Sequence, residues 1–147
     1  MIQWNDPIAW KRAFKNTFTC LIGCSIGDFG MIIYIQANHP GTPIFLMMGI
    51  AMISGLITSI ILETILLKIR EGFNWVGALK MAFSMSFMSM IGMELAENTT
   101  DYFLTRGTVP LSDPWYWGAL GISLIAGFIA PLPYNYYKFK KHGKSCH

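Results

Sequence analysis

Carboxylates set inside long apolar runs constrain this 147-residue chain more than any other feature. The stretch 81–101, MAFSMSFMSMIGMELAENTTD, is apolar enough to sit in a bilayer, yet it holds five methionines and ends in Glu94, Glu97, Asn98 and Asp101. At 100° per residue, Ser86, Met90, Met93, Glu94, Glu97 and Asp101 fall within about a 100° arc of one helix. Phe83, Phe87, Ile91 and Leu95 lie mostly elsewhere. A carboxylate in a membrane helix costs roughly 2.5–3.5 kcal/mol on insertion scales, so it faces a protein interior or water. The other helices can be read by what they offer that polar stripe.

The rest of the chain agrees with a membrane setting. It is 53% hydrophobic and 13% charged, against about 25% charged in average usage. Its apolar residues come in long runs, not in alternating or amphipathic patterns. The net charge of +3 implies no nucleic-acid partner, because the basic residues flank the apolar runs. The start, MIQWNDPIAWKRAFKN, lacks the order and cleavage site of a signal peptide. Three cysteines, two of them in the first apolar run, argue against a disulfide framework.

Four spans are expected, at about 17–36, 44–67, 75–97 and 115–136, in one domain over 1–147 with a tail at 138–147. Residues 1–14, with Trp4 and Trp10, read as interfacial. In the first span Cys20, Cys24 and Asp28 recur every four residues on one face, beside Gly23, Gly27 and Gly30. In the second, Met48, Met52, Ser59 and Glu63 form a stripe within about 60° of arc. The fourth has a small-residue face of Gly118, Gly121 and Gly127, and Pro131 and Pro133 predict a kink or early stop. With four spans, Lys11, Arg12, Lys15, Lys68, Arg70, Lys138, Lys140, Lys141 and Lys144 share one side, and only Arg106 lies on the other. The positive-inside rule then puts both termini in the cytoplasm. The expected fold is all-α, a four-helix transmembrane bundle in the cell's inner membrane. Cys20 and Glu63 fall in its cytoplasmic half, Met48, Met52, Met90, Met93 and Glu94 in its outer half, and Asp28 near the middle.

TCLIGCSIGD (19–28), MSFMSMIGMELAENTTD (85–101), DPWYW (113–117) and the ending PLPYNYYKFKKHGKSCH resemble an uncharacterised prokaryotic family of small four-helix membrane proteins, defined only as a domain of unknown function. The resemblance covers nearly the whole chain and is most specific at CLxGCxxGD and GKSCH. It implies the membrane architecture and brings no activity.

The residues point to metal chemistry, each against a plainer alternative. Cys20, Cys24 and Asp28 could present two thiolates and a carboxylate to one ion; the thiols could equally be small packing residues. Met48 with Met52, and Met90 with Met93, are spaced to chelate a soft ion, although methionine is an ordinary gap-filler. Glu94, Glu97 and Asp101 sit where a helix C-terminus disfavours anions, so Arg106 or a bound cation would balance them; a solvated helix end is the alternative. For Glu63 an ion pair with Lys68 or Lys80 is expected. His142, Cys146 and His147 could hand an ion to a cytosolic carrier, or form a basic tail at anionic lipid. No catalytic triad, P-loop or dinucleotide fingerprint is present, so no enzyme is expected.

The resulting expectation is a protein that binds and moves a soft transition metal, copper(I) ahead of zinc. A second is a non-catalytic accessory subunit of a larger membrane complex, such as a copper-dependent oxidase or monooxygenase. A third is a proton or cation pathway through Asp28, Glu63 and Glu94, with Glu97 and Asp101 continuing it.

Overall fold

Asp6 starts the first helix: its carboxylate accepts the backbone N–H groups of Ile8 and Ala9 at 3.0 and 3.3 Å, and Pro7 takes the first helical position. The computed structural model describes residues 4–142, whose regular structure is entirely helical. The helices are α1 (Pro7–Asn38), α2 (Ile44–Glu71), α3 (Trp75–Thr105), α4 (Pro114–Ile129) and α5 (Leu132–His142). Residues 7–14, expected as an interfacial lead-in, are thus already helical, because Asp6–Pro7 is a helix start. The second and third helices also run past the expected ends of their spans, to Glu71 and Thr105.

Local chemistry sets the other boundaries. Gly72 closes α2 in the left-handed region (φ 70°). Asn74 opens α3 by accepting from the Gly77 N–H at 2.7 Å, and Arg106 (φ 48°) with Gly107 (φ 66°) ends it. Asp113 caps α4 on the Trp115 N–H, with Pro114 at the first position. The chain breaks at Ala130–Pro131, so the fourth apolar stretch is two helices. Part of the expected tail is α5, which packs against the start of α1. Tyr136 stacks on Trp4 and Trp10, the Asn135 amide donates to the Thr17 hydroxyl at 2.7 Å, and Lys140 pairs with Asp6 at 2.8 Å. The Lys140 ammonium holds the Asp6 carboxyl below its ordinary range, and Asp6 in turn raises Lys140.

α1, α2 and the stretch Pro114–Lys138 are long and apolar enough to cross a membrane. α3 adds a fourth if its two arms, Trp75–Ser84 and Ser86–Thr105, bent by 53°, count as one span. At the bend the Ser84 hydroxyl donates to the Met81 carbonyl, a side-chain bond of the kind that bends helices. The polarity of the protein is inverted relative to a soluble domain. Ile26, Phe45, Val76 and Phe103 are at least 65% exposed, whereas Asp28, Glu63, Glu94 and Glu97 are at most 3% exposed. A soluble chain would hide the first set; lipid accepts it.

The helix pair α1–α2 closes through small residues. A Cβ on Gly23 would meet the backbone of Ser59 at 2.7 Å, and one on Gly27 would meet the Ser54 carbonyl oxygen at 2.5 Å. The Thr58 hydroxyl donates across the gap to the Gly23 carbonyl at 2.7 Å. Gly27→Ala is therefore expected to cost about 1–3 kcal/mol, the range for overpacking against an unyielding neighbour. Gly30→Ala, which points into open space, should be neutral or slightly stabilising through helix propensity. Thermal unfolding of both variants in detergent checks the contrast; equal Tm values would show that the helices part freely.

Candidate functional site

The four-residue ladder of α1 turns inward at every rung: Cys20, Cys24 and Asp28 are all buried. Close approach of α2 gives the lower rungs polar neighbours. The Cys20 thiol donates to the Glu63 carboxylate, and the Ser59 hydroxyl donates to the Cys20 carbonyl at 3.2 Å. Cys24 lies beside the Ser59 hydroxyl and the Glu94 carboxylate. From α3, Met90 and Met93 pack with Cys20 and Cys24 in one buried cluster walled by Leu21, Leu56 and Ile60. Two thiols and two thioethers thus share one interior.

One turn further along both helices the donors change from sulfur to oxygen. Asp28, Glu94 and Glu97 each turn one carboxylate oxygen inward, and the three lie within 4.8 Å of one another. The Asn98 amide donates to the Glu94 carbonyl at 3.0 Å and to its carboxylate at 3.3 Å. That leaves one oxygen of Asp28, one of Glu94 and both of Glu97 buried with no hydrogen-bond partner. Two ionised carboxylates about 5 Å apart repel by roughly 3–4 kcal/mol at an effective dielectric near 20. Unpartnered buried acceptors add a desolvation cost of about 1–3 kcal/mol each. A cation held among these oxygens would remove both penalties.

Room for the carboxylates comes from two glycines on facing helices. A Cβ on Gly55 of α2 would collide with the Glu94 carboxylate and come within 3.0 Å of the Cys24 carbonyl oxygen. A Cβ on Gly127 of α4 would collide first with the Glu97 side chain. The small-residue face expected on α4 has this one close contact; Gly118 and Gly121 meet open space. Sequence reasoning passed over Gly55 altogether. Its only signal was a small residue one turn before Ser59, on the polar face of α2.

Several expected partnerships differ. Met48 and Met52 are half-buried, and Met48 lines a separate cavity of about 20 Å³ with Asp101, Gln36 and Tyr116. Met48 therefore lies in a different place from Met90 and Met93, because a stripe's face within its own helix does not say which neighbour it meets. Met90 and Met93, assigned to the opposite half from Cys20, instead share its cluster, since Cys24–Asp28 and Met90–Glu94 climb side by side. Lys68 lies over the Trp75 ring at 3.8 Å, and Glu63 takes the Cys20 thiol instead of an ion pair with Lys68. Arg106 is exposed and, among the described residues, pairs with no carboxylate. Glu97 and Asn98 are buried, not a solvated helix end, while Asp101 is half-buried. His142 ends α5, with its side chain outside the described set, and Cys146 and His147 lie outside the described residues.

Cavities approach the polar file from both ends. Glu63 lines one of about 230 Å³ together with Arg12, Lys15 and Arg70. At the other end a cavity of about 340 Å³ beside His39 shares Gln36, Ile44 and Met47 with the small one that reaches Asp101.

All of this lies within a recognised unit. Residues 9–144 match the family described as Domain of unknown function (DUF4396). The chain belongs to that family. The match includes the sulfur cluster, the three carboxylates and both glycines that accommodate them. No curated protein and no solved structure matches the chain. The family description names no activity.

Proposed function

We propose that this protein binds a transition-metal cation inside the membrane and passes it across, with copper(I) as the cargo. The observation that carries this reading is the buried Asp28–Glu94–Glu97 cluster with its unpartnered oxygens, one turn from Cys24, Met90 and Met93 and two turns from Cys20. Thiolate and thioether donors select copper(I), and carboxylates supply the charge that draws a cation into a low-dielectric interior. In this reading Glu94, beside Cys24 and within the carboxylate group, links the sulfur and oxygen donors. The setting is a prokaryotic inner membrane, crossed four times with both termini in the cytoplasm. The basic residues at the ends of α1 and α2 and in α5 support that orientation. The protein acts without catalysis, and any flux is passive or proton-coupled.

Metal titration of the purified chain tests the proposal, using copper(I) held by a competing chelator and, separately, zinc(II). Wild type should bind copper(I) with stoichiometry near one. Cys20→Ser with Cys24→Ser keeps side-chain size but removes the soft donors, so copper(I) affinity should fall by at least about 100-fold, the upper range for disturbing even a supporting group of a metal site. Circular dichroism should stay unchanged. Copper(I) and zinc(II) both failing to bind wild type would sink the metal reading, and the double variant binding copper(I) normally would make Cys20 and Cys24 packing residues and place the site elsewhere.

A second reading has its own observation. The groups Glu63, Cys20, Cys24, Glu94, Asp28, Glu97 and Asp101 form a polar file between cavities at its two ends. Such a file suits proton movement, as intramembrane carboxylates commonly do. Proton flux in metal-free liposomes would favour it over metal transport.

A further inference from the structure

The cavity between the basic ends of α1 and α2 has a chemistry that the metal site does not use. Residues 12, 15, 16 and 19 follow the helical repeat of one face of α1, and residues 63, 66, 67 and 70 that of one face of α2. These faces enclose about 230 Å³. Arg12, Lys15 and Arg70 stand around it with the hydrogen-bonding side chains of Asn16 and Thr19, and Glu63 lies at its floor. With Glu63 ionised the lining still carries an excess of two positive charges. Among the described residues Arg12 and Lys15 enter no ion pair. With this ring of cations the mouth carries a positive potential. It is a good seat for an anion.

The walls narrow the identity of that anion. Leu66 and Leu67 give the cavity an apolar side. By the helical repeat, Ile22 one turn beyond Thr19 and Leu62 one turn before Leu66 extend the two walls as an apolar groove, with Ile22 42% exposed and Leu62 half-buried. A basic pocket that runs into a lipid-facing apolar groove fits an amphiphile with an anionic head. We infer that this cavity binds the phosphate headgroup of an anionic phospholipid, with Arg12, Lys15 and Arg70 around the phosphate and an acyl chain along the groove. The Glu63 carboxylate repels a phosphate driven deeper and holds the headgroup at the mouth.

Lipid binding to the full chain in dodecyl maltoside tests the inference, read by native mass spectrometry with phosphatidylglycerol, phosphatidylcholine and inorganic phosphate as probes. Phosphatidylglycerol should bind at least about 10-fold more tightly than phosphatidylcholine, since each basic side chain near a phosphate contributes roughly fivefold. Arg12→Gln alone should cost about fivefold, and Arg12→Gln with Lys15→Gln and Arg70→Gln about 100-fold. Arg106→Gln, remote from the cavity, should leave binding unchanged. The single Arg12 variant, at an exposed position, keeps the test valid if the triple variant folds poorly. Equal binding of the two lipids, or wild-type phosphatidylglycerol binding by Arg12→Gln, would overturn the assignment. Displacement of phosphatidylglycerol by equimolar inorganic phosphate would also overturn it, by showing that the site takes a free anion.

Discussion

Glu97→Gln is expected to stabilise the metal-free protein and to abolish its stabilisation by metal, two effects of opposite sign from one substitution. Both oxygens of Glu97 are buried without a hydrogen-bond partner, and one of them faces Asp28 and Glu94. Glutamine keeps the shape, removes one charge from the group and brings an amide that can donate to the unpartnered oxygens of its neighbours. Relief of charge repulsion and of a buried unsatisfied acceptor should raise metal-free stability by about 1–3 kcal/mol. In wild type, a metal at 100 times its Kd adds about 2.7 kcal/mol of stability, and the variant should lose nearly all of it. Unfolding curves in detergent with and without copper(I) give both quantities. A variant that is less stable without metal and still stabilised normally by it would make Glu97 a structural residue and remove it from the site.

Much of the helical architecture was legible because lipid imposes long apolar runs, and because a four-residue spacing fixes a face. Cys20, Cys24 and Asp28 had to share one side of α1 wherever that side turned. The direction in which a face turns is another matter. Met48 and Met52 shared a stripe as regular as that of Met90 and Met93, yet Met48 borders the Asp101 cavity while Met90 and Met93 pack with the cysteines. Rotation of a helix about its axis is set by its neighbours, here by how closely Gly23 and Gly27 let α2 approach. Other features were written in the sequence and passed over: Asp6–Pro7 is an N-cap followed by a first-turn proline, so α1 begins well before its apolar core. The docking of α5 was not legible, since the Asp6–Lys140 contact joins residues 134 positions apart. No periodicity carries such information.

Gly127→Ala should separate binding from folding more cleanly than any ligand replacement. The glycines at helix contacts differ in what an added methyl group meets. At Gly23 and Gly27 it is the backbone of α2 together with a side-chain hydroxyl, and at Gly55 it is a carboxylate together with a backbone carbonyl. At Gly127 the three nearest obstacles are all atoms of the Glu97 side chain, Cγ, Cδ and Oε1. A backbone cannot step aside without moving its helix, whereas a glutamate can change rotamer. The alanine methyl should therefore push the Glu97 carboxylate away from Asp28 and Glu94 and leave the α3–α4 contact in place. Alanine also favours the helix over glycine by up to about 1 kcal/mol, which offsets the crowding. Metal affinity should fall about 10–100-fold, as for other changes that misplace a ligand from outside the site, while the metal-free Tm moves little. Glu97→Gln in the Gly127→Ala background should then lower affinity further by much less than it does alone, because the carboxylate it removes is already displaced. Full additivity of the two changes in copper(I) titrations would mean that Gly127 does not act through Glu97, and that α4 takes no part in shaping the site.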